Sequence, residues 1–280
     1  MVFYGVYLAN FGRSAYPRRL VEFARQAEDA GWDGFFLWDH LVWNKGLHVM
    51  DSWIALTAAA TETERIKFGP MVTPLARRRP WKVARECVTL DHLSNGRLIL
   101  GVGLGNPPDV EFKQFGESDD ASVRAEKLDE GLKILSGLWS GKPFSFRGKH
   151  YQIEETEFVP SSLQNPRIPI WVAGKWPNRA PFRRAAQWDG VFPLPVTFGE
   201  RMTPESLRDV LAYVDRHRVN SSPFDVAVKG STANHAGGTD TVSSFAEAGM
   251  TWWLEDLYQW RDSPDDISAH IRRGPPKERR

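Results

Sequence analysis

Apolar runs of strand length begin near Phe3, Gly34, Ile66 and Leu98, and each interval between them leaves room for one crossover helix. Parallel strands need such crossovers, and when buried on both faces they read as continuous apolar segments. Further runs begin near Pro169, Gly190, Asp225 and Thr251. Eight strands follow if the stretch between Leu98 and Pro169 holds a helix and an insertion. Leu128, Leu132, Leu135 and Trp139 recur with helical spacing within 124–139, and 144–153 alternates around Gly148 as a small hairpin does. The expected fold is an α/β (β/α)8 TIM barrel with a hairpin insertion between the fourth helix and fifth strand. The barrel should occupy 1–273 with its insertion at about 140–160, and the charged end, 274–280, should be a disordered tail.

The helix-to-strand junctions repeat. Ala30-Gly-Trp-Asp-Gly-Phe-Phe36, Ala186-Gln-Trp-Asp-Gly-Val-Phe192 and Ala248-Gly-Met-Thr-Trp-Trp-Leu254 each end a helix on small residues and enter a buried run. Asn95-Gly96 supplies a left-handed stop before the run 97–102. Gly101, Gly103 and Gly105 then follow, but the dinucleotide-binding pattern needs a further glycine where this chain has Asn106 or Pro108. No phosphate-cradling G-x-x-x-x-G-K-[ST] occurs. These glycines therefore either serve tight turning and close packing or open the backbone to a ligand.

Composition excludes several classes. A formal charge of +1 argues against nucleic acid as a partner. The lone Cys87 excludes a disulfide framework; it shares a helical face with Val83 and Leu90, which points to burial rather than catalysis. No zinc-type cluster, signal peptide or membrane-length apolar run is present, so no metal, no membrane and a cytoplasmic location are expected.

In such a barrel, residues just after the strands line one pocket. Asn10, Asp39, His40, Met71, Val72, Thr73, Gly103, Gly105, Asn106, Ala173, Gly174, Lys175, Trp176, Pro193, Ser231, Glu255 and Asp256 stand there. His40 reads either as a proton-transfer residue, with Asp39 beside it in sequence, or as a loop histidine bonded to backbone. The segment 173–178 reads as an anion site at a helix start, with Lys175 adding charge, and equally as an ordinary N-cap by Asn178. Arg77, Arg78 and Arg79 either steer an acidic ligand or form a solvated face. Trp38, Trp43, Trp171, Trp176 and Trp253 suit an aromatic cofactor or core filling, and Trp171 reads as core.

At these residues the chain resembles the bacterial luciferase-like flavin monooxygenase superfamily, including its deazaflavin (coenzyme F420) branch. The likeness runs through Ala27-Glu-Asp-Ala-Gly-Trp-Asp-Gly34, Trp38-Asp-His40, Ile66-Lys-Phe-Gly-Pro-Met-Val-Thr-Pro74, Arg79-Pro80, Leu90-Asp-His-Leu-Ser-Asn-Gly-Arg97, Gly101-Val-Gly-Leu-Gly105 and Pro169-Ile-Trp-Val-Ala-Gly174. The resemblance implies an F420- or FMN-dependent oxidoreductase or monooxygenase acting on a small molecule. It also implies a non-proline cis peptide near Met71 to Thr73 under the cofactor ring and the cofactor phosphate near Gly174. His40 and Asp39 would be catalytic. The cofactor would touch His40, Met71, Val72, Thr73, Gly103, Gly105, Asn106, Ala173, Gly174, Lys175 and Trp176. Asp39-His40 resembles the F420 branch, which ranks F420 ahead of FMN, whereas Ala173-Gly174-Lys175 departs from the richer Gly/Ser phosphate loop of many relatives. A homodimer is an expected assembly. The competing readings are a cofactor-free barrel lyase or isomerase acting on a phosphorylated metabolite through His40, and a non-catalytic flavin-binding relative.

Overall fold

The computed structural model describes all residues except 45, 198, 220, 233–237, 258–262 and 277–280, and for 238–240 the backbone alone. The barrel strands are β1 (Phe3–Leu8), β2 (Gly34–Leu37), β3 (Lys67–Pro70), β4 (Thr73–Pro74), β5 (Leu100–Gly103), β8 (Ile170–Trp176), β9 (Gly190–Pro195), β10 (Asp225–Gly230) and β11 (Trp252–Asp256); β6 (Phe144–Arg147) and β7 (Gln152–Thr156) form the hairpin. The nine-stranded sheet runs β3-β2-β1-β11-β10-β9-β8-β5-β4, with parallel pairing throughout. β3 and β4 are two halves of one barrel strand, separated by Met71 and Val72, whose peptide is cis. A parallel bridge between Phe68 and Leu98 brings β3 against the chain entering β5, which closes the ring. With that broken strand counted once, eight strands form the barrel.

The period-two geometry of a strand sorts its side chains between two cores. Tyr7, Phe36, Trp171, Phe192, Ala227, Trp252 and Leu254 fill the barrel interior. Their neighbours Val6, Leu8, Phe35, Leu37, Ile170, Val172, Val191, Val226, Val228 and Trp253 face the helices. Trp171 is therefore core, as its sequence setting implied, and Cys87 is fully buried in the outer layer. At the strand N-termini Asp225 accepts the indole N–H groups of Trp171 at 3.1 Å and Trp252 at 3.2 Å. Burial pushes its carboxyl above the ordinary range even with these donors.

The helices are α1 (Pro17–Asp29), α2 (Ser52–Thr61), α3 (Pro80–Leu93), α4 (Pro108–Glu111), α5 (Ala121–Trp139), α6 (Arg179–Ala185), α7 (Pro204–Asp215), α8 (Gly238–Glu247) and α9 (Pro264–Arg272). Proline opens α1, α3, α4, α7 and α9, where its missing N–H costs nothing. α9 starts on a Ser263/Asp266 capping box and seats its far end on α1, where Trp32 Nε1 donates to the Ile271 carbonyl at 2.9 Å. Among the repeated junctions, Gly31 and Gly249 are left-handed and Gln187 is not. Asn95 and Gly96 both adopt positive φ.

Two boundary expectations shift. Arg97 does not open a strand; β5 begins at Leu100, because the Arg97 guanidinium turns back to the carbonyls of Ala60, Thr63 and Ile66. The hairpin strands extend to Thr156 and dock on α5: Glu130 accepts the N–H groups of Lys149, His150 and Tyr151, and the Phe144 ring fills the place where Gly137 lacks a side chain. Of the expected tail, Gly274 is the left-handed cap of α9, and 277–280 lie outside the described residues. Among the described residues no helix is long and apolar enough to cross a membrane, and no group of three or more His, Cys, Asp or Glu could hold a metal ion.

Candidate functional site at the barrel mouth

Alternation along each strand decides which sequence-derived candidates face the mouth. On β2 and the residues after it Trp38 belongs to the interior cluster and His40 contacts it with its ring tilted, centroids 5.7 Å apart. Asp39, between them, points outward. Its carboxylate is only slightly exposed and takes Arg78 at 3.0 Å, Arg77 at 3.3 Å, Thr73 Oγ1 at 3.0 Å and Trp53 Nε1 at 3.3 Å. Asp39 therefore ties β2 to α2, β4 and the turn before α3 behind the barrel wall. The three arginines do not act as one group: Arg77 and Arg78 are spent inside this cluster, and neither a solvated face nor a free ligand-steering patch describes them.

His40 is bonded to a carboxylate that sequence reasoning missed. Its Nδ1 lies 3.1 Å from Oε1 of Glu111, at the end of the single-turn helix α4. Glu111 is 1% exposed; it also accepts the N–H groups of Leu41 and Val42 and bonds the Arg77 guanidinium. The carboxylate accepts from Nδ1–H, and Nε2 is then the ring nitrogen left to exchange a proton. Asn10 clamps the same turn, donating to the His40 and Met50 carbonyls at 2.8 and 2.7 Å and accepting the His40 N–H. No motif in the sequence marks Glu111, which follows the Pro107-Pro108 helix start as an ordinary first-turn acid.

Beside the imidazole lies an aromatic floor. Phe11 stacks on Trp43 at 4.9 Å and meets Trp38 edge-on, while Trp43 sits edge-on to His40 at 4.7 Å. Tyr7 donates its hydroxyl to the Met71 carbonyl at 3.2 Å. Burial, reinforced by Asp256, holds this phenol well above its ordinary pKa, so it stays a donor. Met71 is buried in the interior cluster, and Val72 and Ala173 pack against it. The glycines of β5 make room for this bulge: a Cβ at Gly101 would lie 2.4 Å from the Pro70 carbonyl oxygen, and one at Gly103 2.8 Å from Val72 Cγ2.

Ala173 and Lys175 lie on the inward register of β8, and Gly174 and Trp176 on the outward one. A Cβ at Gly174 would sit 2.6 Å from Pro181 Cβ, so this glycine is required for close packing of α6 on β8. Trp176 packs edge-on to Phe182 and carries Arg179 on its face at 4.5 Å, away from the mouth. Asn178 precedes α6 as N-cap without a side-chain hydrogen bond. Gly105 is left-handed and crowded by Phe112 and Pro74, its carbonyl held by Arg124 at 2.9 Å, while Asn106 is exposed beyond it. Thr73 is consumed by Asp39 and Trp53. The structure thus gathers His40, Met71, Val72, Gly103, Ala173 and Lys175 at the mouth, and turns Asp39, Thr73, Gly174 and Trp176 outward.

At the far side, β10 contributes Lys229, whose Nζ is 2.8 Å from Asp256 Oδ2 and 5.6 Å from the Trp38 ring centroid. Burial raises the Asp256 carboxyl although Lys229 opposes the shift. Glu255 faces outward and is fully buried, bonded to Thr232 and to Trp253 Nε1, so only Asp256 of this acidic pair belongs to the mouth.

Residues 4–276 match the luciferase-like monooxygenase family, and the chain belongs to it. It is 32% identical over 164 residues to an F420-dependent glucose-6-phosphate dehydrogenase of Amycolatopsis mediterranei, covering 58% of this chain and 49% of that protein. It is 34% identical over 168 residues to an F420-dependent hydroxymycolic acid dehydrogenase of Mycobacterium tuberculosis, covering 58% and 45%. The chain spans about half the length of the curated relatives it matches. Among solved structures, the coenzyme F420-dependent tetrahydromethanopterin reductase of Methanopyrus kandleri superposes with a TM-score of 0.76 at 17% identity, covering 98% of both chains. The oxygenating constituent of 3,6-diketocamphane monooxygenase of Pseudomonas putida, in complex with FMN, gives 0.76 at 16% identity, covering 97% and 96%. These likenesses place the fold among the TIM-barrel members of the family.

Proposed function

We propose that the protein is an oxidoreductase that binds coenzyme F420 across the barrel mouth and exchanges a hydride with a small organic substrate above it. The observation that carries this reading is the His40–Glu111 pair, an oriented proton carrier beside an aromatic and aliphatic floor. F420 ranks ahead of FMN because both curated relatives described above are F420-dependent dehydrogenases by name. The second reading, reduced FMN with oxygenation, rests on the FMN-bound neighbour of equal TM-score.

The residues fit a flat ring system. Glycines at 101 and 103 let the Met71–Val72 bulge project inward, where side chains at those positions would collide with it. Met71, Val72 and Ala173 would hold the ring from beneath, and Lys175 would meet an acidic group of the cofactor. Bound there, a deazaflavin supplies two-electron hydride chemistry, whereas a reduced flavin supplies oxygen chemistry.

The chain's own residues supply the rest. Glu111 keeps the Nδ1 proton of His40 in place, so that Nε2 gives or takes the proton that accompanies oxidation or reduction of a substrate hydroxyl or carbonyl. Phe11, Trp38 and Trp43 exclude water around the imidazole, which strengthens its interaction with developing charge. Fluorescence titration with F420 and FMN, followed by aerobic and anaerobic turnover, tests the reading. Tight F420 binding with oxygen-independent turnover is expected; a clear FMN advantage with oxygen consumption would put the second reading first.

A further inference from the structure

A cleft opens between the C-terminal ends of β9, β10 and β11, lined among others by Pro195, Arg201, Met202, Lys229, Ser231 and Asp256. Lys229 follows the apolar run Val226, Ala227 and Val228 of β10, on the inward register two residues after Ala227. Its side chain is 23% exposed, and its Nζ lies over two ring faces, 5.6 Å from Trp38 and 5.8 Å from Tyr7. Those faces attract a cation but are no substitute for oxygen acceptors. One ammonium proton is directed to Asp256 at 2.8 Å. An ammonium carries three donors, so this placement leaves donor capacity facing the cleft.

The charge balance says what those donors suit. Arg201 and Glu200 both stand on the exposed rim, where solvent screens their charges, so the charges inside the cleft are the Lys229 ammonium and the Asp256 carboxylate. Low-dielectric walls strengthen the attraction of the Lys229 ammonium for an anion. His40 lies against the same Trp38 ring that Lys229 covers, so an anion held by Lys229 leaves the body of a small molecule beside the imidazole.

We infer that this cleft is an oxyanion subsite for the substrate, with Lys229 as its buried anchor, Arg201 as its outer clamp and Asp256 as the group that aims the ammonium. The substrate class is a small organic molecule bearing a carboxylate or phosphate. This inference rests on the proposed F420 reading for the identity of the reaction, but not for the existence of the site. A phosphate of the cofactor shares the chemistry and is the alternative source.

The test is calorimetric titration of the purified full chain with inorganic phosphate and with acetate, with and without saturating F420. Lys229→Met should weaken anion binding by about tenfold or more, the scale of one charge-assisted hydrogen bond. Arg201→Gln should weaken it by a few-fold. Asp256→Asn keeps the ammonium and removes the opposing charge, so it should strengthen binding by a few-fold; a merely structural pair would lose binding in both variants. Should Lys229→Met fail to fold, Lys229→Gln combined with Asp256→Asn gives a neutral pair of similar shape and should also lose the anion. F420 affinity should stay within about threefold in every variant, and phosphate should still bind the F420-loaded protein. The inference is overturned if wild type binds neither anion, if Lys229→Met binds them equally well, or if Asp256→Asn weakens binding as Lys229→Met does. It is also overturned if F420 expels phosphate and Lys229→Met loses F420 affinity in proportion, which would assign the cleft to the cofactor. Failure of F420 to bind at all removes the proposed function but leaves the anion measurements on the unloaded chain intact.

Discussion

His40 Nδ1 meets Glu111 Oε1 at 3.1 Å across 71 positions of sequence, and the same carboxylate accepts the N–H groups of Leu41 and Val42. One buried side chain therefore orients both the imidazole and the backbone that carries it. The neighbouring carboxylate, Asp39, binds Arg77 and Arg78 instead and shapes the wall.

His40→Asn should keep the fold and hold cofactor affinity within a few-fold, while turnover falls about 10²- to 10⁴-fold, the usual contribution of general acid–base catalysis. Asn retains hydrogen bonding but cannot carry a proton near neutral pH. Glu111→Gln should also slow turnover, because a neutral amide orients the imidazole less firmly and leaves the Arg77 guanidinium without its charged partner. Steady-state rates across about pH 5–9 check both. Turnover within a few-fold of wild type in the His40 variant would remove His40 from proton transfer.

Gly174→Asp should damage folding at least as much as cofactor binding. A Cβ there meets Pro181 Cβ at 2.6 Å, and overpacking of this kind costs about 1–3 kcal/mol. Thermal unfolding of the unloaded protein, compared with cofactor titration, decides it. Lost affinity with an unchanged melting temperature would instead place the cofactor phosphate at this glycine.

The barrel was legible because its signals are local. Strand spacing, the small residues at the repeated helix ends and the left-handed Asn95-Gly96 stop each report a nearby backbone requirement. The mouth was legible in outline, since residues after strands must lie there. What the sequence could not resolve was side-chain direction at the strand ends, where one step of register separates Ala173 and Lys175 from Gly174 and Trp176. Glu111 was invisible for a different reason: its partner is long-range, and a glutamate after Pro107-Pro108 looks like an ordinary acid in a first helical turn. The Leu90-to-Arg97 motif marked family likeness, yet its charges are structural. Asp91 receives Leu163 N–H at 2.8 Å and Gln164 N–H at 3.1 Å, fixing the approach to β8.

Glu28 offers a pH-dependent stability test. Burial raises its carboxyl pKa, but the N–H groups of Ile66, Arg65 and Glu64 together outweigh this and lower it below the ordinary value. A depressed folded-state pKa contributes stability that is present above the unfolded value and lost as pH falls through the folded one. Wild type should therefore exceed Glu28→Gln in stability at neutral pH, and the gap should close as pH falls below 4.5, the unperturbed value. Urea unfolding at a series of pH values measures the gap. A constant difference down to about pH 2.5 would contradict ionisation as its source.

Arg97→Lys should destabilise the barrel although charge is conserved. The guanidinium donates to Ser94 O at 2.7 Å, Thr63 Oγ1 at 2.9 Å, Ile66 O at 3.1 Å and the Ala60 and Thr63 carbonyls at 2.8 Å. These bonds join the end of α2 to the entries of β3 and β5, a junction at which the ring closes through Phe68 and Leu98. An ammonium has three donors on a point charge and cannot span the fork, so buried carbonyls lose their partners. Each orphaned acceptor costs about 1–3 kcal/mol, and two such losses should lower the melting temperature by about 5 °C or more. Hydrogen exchange should speed up first at the amides of Phe68 and Ile99, which carry the closing bonds of the ring. Uniform acceleration across the whole chain, with no excess at these two amides, would show that Arg97 stabilises the fold without acting through this closure.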